Sequence, residues 1–334
     1  STMQEAIAAP KVGGIVRLTI FVIKATLMIE LLGAVAMSPV FCRDFGIKGL
    51  WMALFHSVSA FCNAGFDLMG VKSPFSSLTL YAGEPLINFP IMLLIIIGGI
   101  GFLTWDDIRA NRFHIHKYRM QSKVILSTTA ILILVPALYF YFFEFSDLGL
   151  KERVLSSLFQ SVTPRTAGFN TVDLTSMSEA GQFITIILML IGGSPGSTAG
   201  GMKTTTIAVL FAIAIATFRR REDANFFGRR MNGDVIKNAA TVFLMYITLC
   251  GAGGLIISIA EDLPILTCLF EAASAVGTVG LSLGITPGLG MVSRVILIAL
   301  MFIGRVGGLT LIFAALSGTH HHVSKLPREK ITVG

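Results

Sequence analysis

The segment SAFCNAGF at residues 59–66 decides the fold of this chain, because two related segments follow it: PRTAGF at residues 164–169 and SAVGTVGL at residues 274–281. We call them glycine segments 1, 2 and 3. Each precedes a second motif, in the order IGGIGFLT (97–104), IGGSPGST (191–198) and IGRVGGLT (303–310). Ile, Gly and the final Thr recur in all three second motifs. A motif pair that recurs along a chain marks a repeated structural unit, so the sequence predicts three copies of one unit.

The composition is typical of a membrane protein. Of the 334 residues, 54% are hydrophobic and 13% are charged, and the mean hydropathy is +0.77. A soluble chain carries about 25% charged residues. Since a membrane-spanning helix needs about 20 apolar residues, the chain is predicted to be an all-α membrane protein. The spans are expected near residues 12–37, 86–104, 123–143, 181–217 (interrupted), 236–260 and 292–316.

Each predicted repeat contains a long helix, a half-helix, a glycine segment, a polar loop and a second helix. The half-helices are expected near Lys48–Phe61, Glu152–Val162 and Leu263–Ala275. Three or four turns at about 1.5 Å per residue cannot cross about 30 Å of hydrocarbon, so these helices are predicted to be re-entrant. Such backbone survives at membrane depth where it is buried in protein or faces a water-filled cavity. We therefore expect tandem helix–pore-loop–helix repeats around a central pore.

The predicted boundaries place repeat A at residues 11–110, repeat B at 111–221 and repeat C at 222–318, followed by a cytoplasmic tail at 319–334. Residues 1–10 resemble the end of a preceding repeat, because an amphipathic stretch leads directly into Pro10. Three units do not complete a four-fold ring. We therefore expect four repeats in the whole protein, the first of them preceding this chain.

The glycine segments have the chemistry of a cation filter. A half-helix that ends at the cavity directs the partly negative end of its macrodipole there. Glycine tolerates positive φ, and rings of backbone carbonyls replace the hydration shell of a permeating ion. The predicted filter residues, whose carbonyls would hold K⁺, are Asn63, Ala64, Gly65, Phe66, Thr166, Ala167, Gly168, Phe169, Thr278, Val279, Gly280 and Leu281. The alternative is that these glycines only permit close helix packing.

The second helix of repeat B contains a stretch that cannot remain helical. Glycine costs about 1 kcal/mol in a helix interior and proline about 3 kcal/mol. The stretch, which we call the 192–201 loop, comprises Gly192, Gly193, Ser194, Pro195, Gly196, Ser197, Thr198, Ala199, Gly200 and Gly201. Its position after Gly168 predicts an intramembrane gate below the filter, and the alternative is a static kink.

Two cations accompany this predicted gate. Arg305 lies in the second motif of repeat C, where the other repeats have Gly99 and Gly193. A charge at the bilayer centre costs at least about 2.5 kcal/mol, so Arg305 should face the cavity or bind backbone carbonyls. There it would hold the loop or slow cations, and the alternative is a structural tether. Lys203 flanks the loop and is the weaker candidate, because a lysine can snorkel.

The net charge of +7 is concentrated in loops that follow second helices. Basic residues cluster at residues 109–123, 219–237 and 325–330, whereas the opposite loops are more acidic. This asymmetry predicts a cytoplasmic C-terminus and favours contact with anionic membrane lipids over nucleic acid. The four cysteines have no metal-binding or redox spacing, and the sequence indicates no cofactor.

Glycine segments 1 to 3, read with the residues around them as SAFCNAGF, QSVTPRTAGFN (160–170) and SAVGTVGLS (274–282), resemble the pore loops of the Ktr/Trk/HKT potassium transporter superfamily. The similarity extends along essentially the whole chain and is closest to the KtrB membrane subunit. It implies a homodimeric pore subunit in a bacterial cell membrane, filter glycines at Gly65, Gly168 and Gly280, and an intramembrane gating loop. It also implies potassium as the ion, and a cytosolic nucleotide-binding regulatory partner of the RCK type.

Three other functions are alternatives to a potassium pore. A carbonyl filter does not by itself exclude sodium, so a Na⁺ or mixed Na⁺/K⁺ carrier is an alternative. A proton-coupled carrier would need several buried acids and is typically built from inverted repeats, whereas these repeats are parallel. An intramembrane enzyme would need a nucleophile with a base or a pair of acids, and Glu30 stands largely alone in the spans. The sequence therefore favours a transporter over an enzyme.

Overall fold

The computed structural model describes residues 15–221 and 224–307, which form eleven α-helices and one short β-hairpin. The helices are α1 (Ile15–Phe45), α2 (Lys48–Phe61), α3 (Pro85–Gly99), α4 (Phe102–Asn111), α5 (Met120–Tyr139), α6 (Leu150–Val162), α7 (Glu179–Leu190), α8 (Thr204–Phe218), α9 (Gly233–Glu261), α10 (Ile265–Val276) and α11 (Met291–Val306). Strands β1 (Asn225–Phe226) and β2 (Arg229–Arg230) pair antiparallel between α8 and α9. Short 3₁₀ turns lie at Met69–Val71, Thr79–Tyr81, Ile115–Lys117, Leu174–Ser176 and Thr286–Gly288, and a π turn at Phe140–Glu144 extends α5.

Three helices of the described chain are long and apolar enough to cross a membrane. They comprise Val16–Phe45, Met120–Glu144 and Gly233–Glu261. A fourth candidate is the pair α3 and α4, whose axes are bent by 97°. Helices α7, α8 and α10 are apolar but shorter. The predicted multi-pass, all-α membrane protein is therefore confirmed, with α1, α5 and α9 as the first helix of each repeat.

The repeats pack in sequence order through their half-helices. Helix α2 packs between α1 and α3, and α10 packs between α9 and α11. Each later half-helix also packs on the second helix of the preceding repeat, α6 on α3 and α10 on α7. The tandem helix–pore-loop–helix architecture is thus present. The first predicted repeat boundary falls at the C-terminal end of α4, between Ala110 and Asn111, and the second falls in the connection between α8 and β1; both remain predictions.

The second helices of the three repeats end within or just before the second motif, at Gly99, Leu190 and Val306, which corrects the prediction of one continuous span at 86–104. Gly101, Gly196 and Gly307 have φ values of 91°, 65° and 88°, a backbone conformation that suits glycine. The broken helix predicted for repeat B thus has counterparts in α3–α4 and at the end of α11. Residues after 307, including the rest of the predicted 292–316 span, lie outside the described residues. Helix α1 also continues past the predicted end at residue 37, since its Pro39 is accommodated within the helix.

A glycine lets each of two second helices approach the end of a half-helix. A methyl group at Gly98 would overlap the carbonyl oxygen of Phe61, and one at Gly304 would overlap that of Val276. The backbone of the half-helix cannot rotate away as a side chain could. Close helix packing therefore accounts for this glycine of the second motif.

Replacing Gly304 with alanine should destabilise the protein by about 1–3 kcal/mol, the usual cost of overpacking. Gly251 is the matched control, because no described atom lies within 4 Å of a methyl group built there in the exposed face of α9. Gly251→Ala should be neutral or stabilising. Thermal unfolding of both variants in detergent measures the difference, and equal unfolding temperatures would contradict the packing argument.

Candidate functional site

The three glycine segments lie side by side. A methyl group at Gly65 would overlap the carbonyl oxygen of Ala167, and one at Gly168 would overlap that of Val279. Segment 1 therefore touches segment 2, and segment 2 touches segment 3. At Gly280 no described atom lies within 4 Å of such a methyl group. The segments form an arc that is open beyond segment 3.

Each segment has the same alternating backbone conformation. The residue two positions before the central glycine has positive φ, at 50° for Asn63, 66° for Thr166 and 54° for Thr278. The central glycines follow at 71° (Gly65), 88° (Gly168) and 92° (Gly280). Positive φ is uncommon for asparagine and rarer for threonine, so its recurrence at one position shows that the three segments are structurally equivalent.

The amide groups of the segments point back to the half-helices. The N–H of Ala64 donates to Ser59 (2.9 Å), that of Ala167 to Thr163 (3.1 Å) and that of Val279 to Ser274 (2.8 Å), each to a backbone carbonyl. In contrast, the carbonyls of the central glycine and of the two residues before it accept no hydrogen bond from any described residue in any of the three segments; these nine belong to Asn63, Ala64, Gly65, Thr166, Ala167, Gly168, Thr278, Val279 and Gly280. Carbonyls left unpaired by protein at membrane depth need another partner, such as water or a cation.

Hydroxyl groups at the ends of the half-helices brace these segments. Ser59 Oγ donates to the carbonyl of Phe66 at 2.7 Å, and Thr163 Oγ1 donates to the carbonyl of Phe169. In segment 3, Ser274 Oγ instead accepts from the N–H of Gly280 at 3.1 Å. These residues were not predicted, although a hydroxyl lies five or six positions before each central glycine.

The residue after each central glycine has a different environment at the end of the arc. Phe169 and Leu281 are buried, with exposed fractions of 0% and 2%, whereas Phe66 is 71% exposed. Phe66 belongs to segment 1 at one end of the arc, whereas Leu281 belongs to segment 3 at the other end and is nevertheless buried. The four positions predicted for each filter segment are therefore equivalent in backbone but not in side-chain packing.

Asn63 and Arg165 connect segments 1 and 2. The Nδ2 atom of Asn63 lies 3.2 Å from the carbonyl oxygen of Arg165 and 3.4 Å from Thr166 Oγ1. The Arg165 side chain is buried behind segment 2, where Nη2 contacts Thr129 Oγ1 at 3.3 Å. Arg165 was not predicted as a site residue, because a basic side chain fits neither a carbonyl filter nor a loop of small residues.

The 192–201 loop contacts the break in the second helix of repeat A. The N–H groups of Ser194 and Thr198 donate to the carbonyls of Gly99 (2.9 Å) and Gly98 (3.2 Å), and the N–H of Phe102 donates to the carbonyl of Gly196 (2.8 Å). Backbone groups freed by two helix breaks thus satisfy each other, as groups at membrane depth require.

The same loop lies against the glycine segments. Thr198 Oγ1 is 3.0 Å from the carbonyl oxygen of Phe61 and 3.1 Å from Asn63 Oδ1. A methyl group at Gly200 would overlap Thr278 Oγ1. The loop therefore contacts segments 1 and 3 directly, next to the residues with positive φ.

Both candidate cations donate to carbonyls of this loop. Arg305 Nη1 lies 3.0 Å from the carbonyl oxygen of Thr198, and Lys203 Nζ lies 2.8 Å from that of Ala199. Lys203 is half-buried, whereas the Arg305 side chain is exposed in the described chain. The contact of Arg305 links α11 of repeat C to the loop of repeat B.

Acidic and nucleophilic groups near the site are few. Ser194 Oγ is buried beside Thr204 Oγ1 at 3.0 Å, and both are hydroxyl groups. Among the described residues, no group of three or more His, Cys, Asp or Glu side chains is placed to hold a metal ion. The oxygen atoms at the arc are backbone carbonyls and the amide and hydroxyl oxygens of asparagine and threonine side chains.

A family model described as a cation transport protein, TrkH, matches residues 3–320 of the chain. The chain belongs to the TrkH family. This is a family of transporters, and the resemblance of the glycine segments to the Ktr/Trk/HKT superfamily is confirmed.

Relatives of this TrkH-family chain include proteins with curated names. The chain is 39% identical to the potassium/sodium uptake protein NtpJ of Enterococcus hirae, over 99% of this chain and 75% of the relative. It is 36% identical to the Ktr system potassium uptake protein B of Bacillus subtilis, over 93% of this chain and 70% of the relative. The crystal structure of the potassium transporter TrkH from Vibrio parahaemolyticus matches with a TM-score of 0.71 at 20% identity. That match covers 92% of this chain and 65% of the other, and it shows the shared fold.

Proposed function

We propose that this chain forms the pore of a potassium uptake system and conducts K⁺ through the carbonyls of the three glycine segments. The nine carbonyls without a donor among the described residues carry this proposal, because they lie in three adjoining segments of equivalent backbone. A dehydrated cation needs such a set of oxygen atoms in place of its water shell. Flow would follow the electrochemical gradient, which favours entry by about 2.3 kcal/mol per 100 mV for one charge.

Potassium is the proposed ion because the relatives NtpJ and Ktr protein B are named for its uptake. The name of NtpJ also includes sodium, so a Na⁺ or mixed Na⁺/K⁺ pathway is the second candidate. One glycine per segment gives few ion sites, and we expect weaker selectivity than a multi-site filter provides.

The 192–201 loop is proposed as the gate of this pathway. Its contacts with Asn63 Oδ1 and with the carbonyl of Phe61 place it directly against segment 1. The loop consists mainly of glycines and short polar side chains, so few atoms would have to move when it opens. Its hydrogen bonds to Lys203 and Arg305 hold it in one arrangement, which we propose is the closed gate.

The assembly that we propose for the whole protein is based on the names of its relatives. A protein named as one component of a Ktr system works alongside others, which supports a separate regulatory subunit. We propose an RCK-type nucleotide-binding partner on the cytoplasmic side, a homodimer of pore subunits and a bacterial cell membrane location with a cytoplasmic C-terminus. A four-fold ring would place a further segment in the open side of the arc, beyond Gly280.

Flux in liposomes tests this function. The complete protein, reconstituted with a K⁺ gradient, should develop a membrane potential that a voltage-sensitive dye reports, and an equal Na⁺ gradient should give a smaller potential. Protein-free liposomes are the control. Equal K⁺ and Na⁺ responses would favour the mixed pathway, and no response to either ion would contradict the proposed pore.

A further inference from the structure

Glu271 lies behind segment 3, in the middle of half-helix α10. It precedes Gly280 by nine residues, and its side chain is buried. Its Oε1 atom accepts from Ser282 Oγ at 2.6 Å and from the N–H of Leu283 at 3.1 Å. Its Oε2 atom accepts from Thr286 Oγ1 at 2.8 Å. The three donors lie on the stretch that immediately follows Gly280.

Segment 3 is consequently fixed on both sides of its central glycine. The N–H of Gly280 is bound to Ser274 Oγ, and the chain beyond it is bound to Glu271. Both acceptors belong to α10. An ionised carboxylate accepts without donating, and hydrogen bonds to a charged group are about twice as strong as neutral ones. No basic side chain of the described chain forms an ion pair with Glu271, so these bonds are its partners.

The equivalent position in segment 1 serves the same purpose with a different residue. His56 precedes Gly65 by nine residues, and its Nε2 atom lies 3.3 Å from the N–H of Leu68. Leu68 and Leu283 both follow their central glycines by three residues. In segment 2 the position is Phe159, whose side chain has no acceptor. There the loop of repeat A holds the chain instead, since the N–H of Leu78 donates to the carbonyl of Asn170 at 2.9 Å.

We propose that Glu271 is a positioning residue that fixes the carbonyls of segment 3 and so determines how well the pore distinguishes K⁺ from Na⁺. This inference rests on the proposed function. Selection by a carbonyl filter depends on the size of the ion site or on the number and field strength of its dipoles. Either origin requires carbonyls that are held in place. Segment 3 needs such a brace most, because no described atom touches the open side of Gly280.

Two neutral substitutions separate the hydrogen bonds from the charge. In Glu271→Gln, the amide oxygen can accept from Ser282 and Leu283 while the amide nitrogen donates to the Thr286 hydroxyl. In Glu271→Met, a side chain of similar length keeps the packing but accepts no such bonds. Both remove the carboxylate, so a difference between them reports the brace alone.

Glu261 provides a matched control, because it lies at the end of α9 and binds the far end of the connection between α10 and α11. It accepts from the N–H of Gly290 at 2.8 Å and from Ser293 Oγ, next to the start of α11. Like Glu271, it is a carboxylate that binds one backbone amide and a hydroxyl. Unlike Glu271, it binds residues that do not adjoin segment 3.

The experiment measures the ratio of K⁺ to Na⁺ flux and the thermal unfolding temperature of each variant of the complete protein in liposomes and detergent. Glu271→Met removes all three bonds and should lower the ratio about tenfold, a fraction of the summed contribution of three hydrogen bonds to a charged group. Glu271→Gln and Glu261→Met should keep the wild-type ratio within about twofold, even if both unfold earlier. Ser282→Ala removes one of the three contacts and should lower the ratio about threefold.

Several results would overturn the inference. An unchanged ratio in Glu271→Met would do so, as would an equal fall in Glu261→Met or in Glu271→Gln. Should Glu271→Met fail to fold, an unchanged ratio in Ser282→Ala would be decisive against it. A wild-type protein that conducts neither ion would contradict the proposed pore itself, whereas a selective wild-type protein with insensitive variants would contradict the role of Glu271 alone.

Discussion

Gly168→Ala should reduce K⁺ flux by more than about a hundredfold while the protein still assembles. Gly168 has φ 88°, and a left-handed conformation costs a residue with a Cβ atom about 1–2 kcal/mol. The larger effect is steric, because the new methyl group would overlap the carbonyl oxygen of Val279. That oxygen belongs to the backbone of segment 3 and is one of the nine without a described donor. The substitution therefore displaces carbonyls of two segments at once.

Gly70→Ala is the matched control for this substitution. Gly70 follows segment 1 in an exposed turn, and no described atom lies within 4 Å of a methyl group built there. Its φ is not positive. Flux of K⁺ into liposomes, normalised to the amount of folded protein, should be close to wild type in Gly70→Ala and nearly absent in Gly168→Ala. Wild-type flux in a folded Gly168→Ala variant would show that the segments do not line the ion path.

The repeats and half-helices could be predicted from the sequence because their signals are local. The half-helix of repeat A was predicted at Lys48–Phe61 and is observed there, and that of repeat B, predicted at Glu152–Val162, spans Leu150–Val162. Each is too short to span a bilayer and stops at a glycine segment. Spacing along the chain is sufficient to recognise such a pattern.

The break between α3 and α4 could not be predicted in the same way. The motif IGGIGFLT lacks the proline of IGGSPGST, and glycines are frequent in transmembrane helices. The bend at Gly101 depends on a partner distant in sequence, since the N–H of Phe102 donates to the carbonyl of Gly196. Gly101 and Gly307 share the fifth position of the motif, where the middle motif has Pro195, and this correspondence was the available signal.

The braces of the glycine segments were missed for a related reason. Glu271 is the one acid of half-helix α10, and its role depends on the chain turning back so that Leu283 approaches it. The sequence shows that residue 271 is an acid, but it does not show that the chain turns back after Gly280 and brings Leu283 close to it. The ring nitrogens of His56 contact the carbonyl of Met52 and the N–H of Leu68, and the second of these partners also follows the glycine segment. The roles of the predicted filter and gate residues stay predictions until flux is measured.

Arg305→Ala should raise K⁺ flux about tenfold, the effect of removing one hydrogen bond from a charged donor that holds a closed state. The guanidinium lies 3.0 Å from the carbonyl oxygen of Thr198, and the Thr198 hydroxyl in turn contacts segment 1. Without Arg305 the 192–201 loop loses its contact with α11, and a positive charge that opposes cations leaves the path. Both consequences should increase the K⁺ flux.

Arg294→Ala is the control, because Arg294 also lies on α11 and also donates to a backbone carbonyl, that of Pro287 at 3.1 Å. It is distant from the loop along the helix, so its removal should leave flux unchanged. Flux through liposomes and the yield of folded protein are measured for both variants. Unchanged or lower flux in folded Arg305→Ala would contradict a gate, and a change confined to folding yield would identify Arg305 as a structural tether.

Shortening the loop distinguishes a gate that Arg305 holds from a barrier that Arg305 itself forms. Removal of residues between Gly193 and Gly200 should raise flux even with Arg305 present, because the contacts of Thr198 with Phe61 and Asn63 are then lost. If the charge were the barrier, the shortened loop would conduct like wild type and Arg305→Ala alone would raise flux. If the loop is the barrier, the K⁺ flux of the double variant should be close to that of either single variant, because both changes open the same closed arrangement.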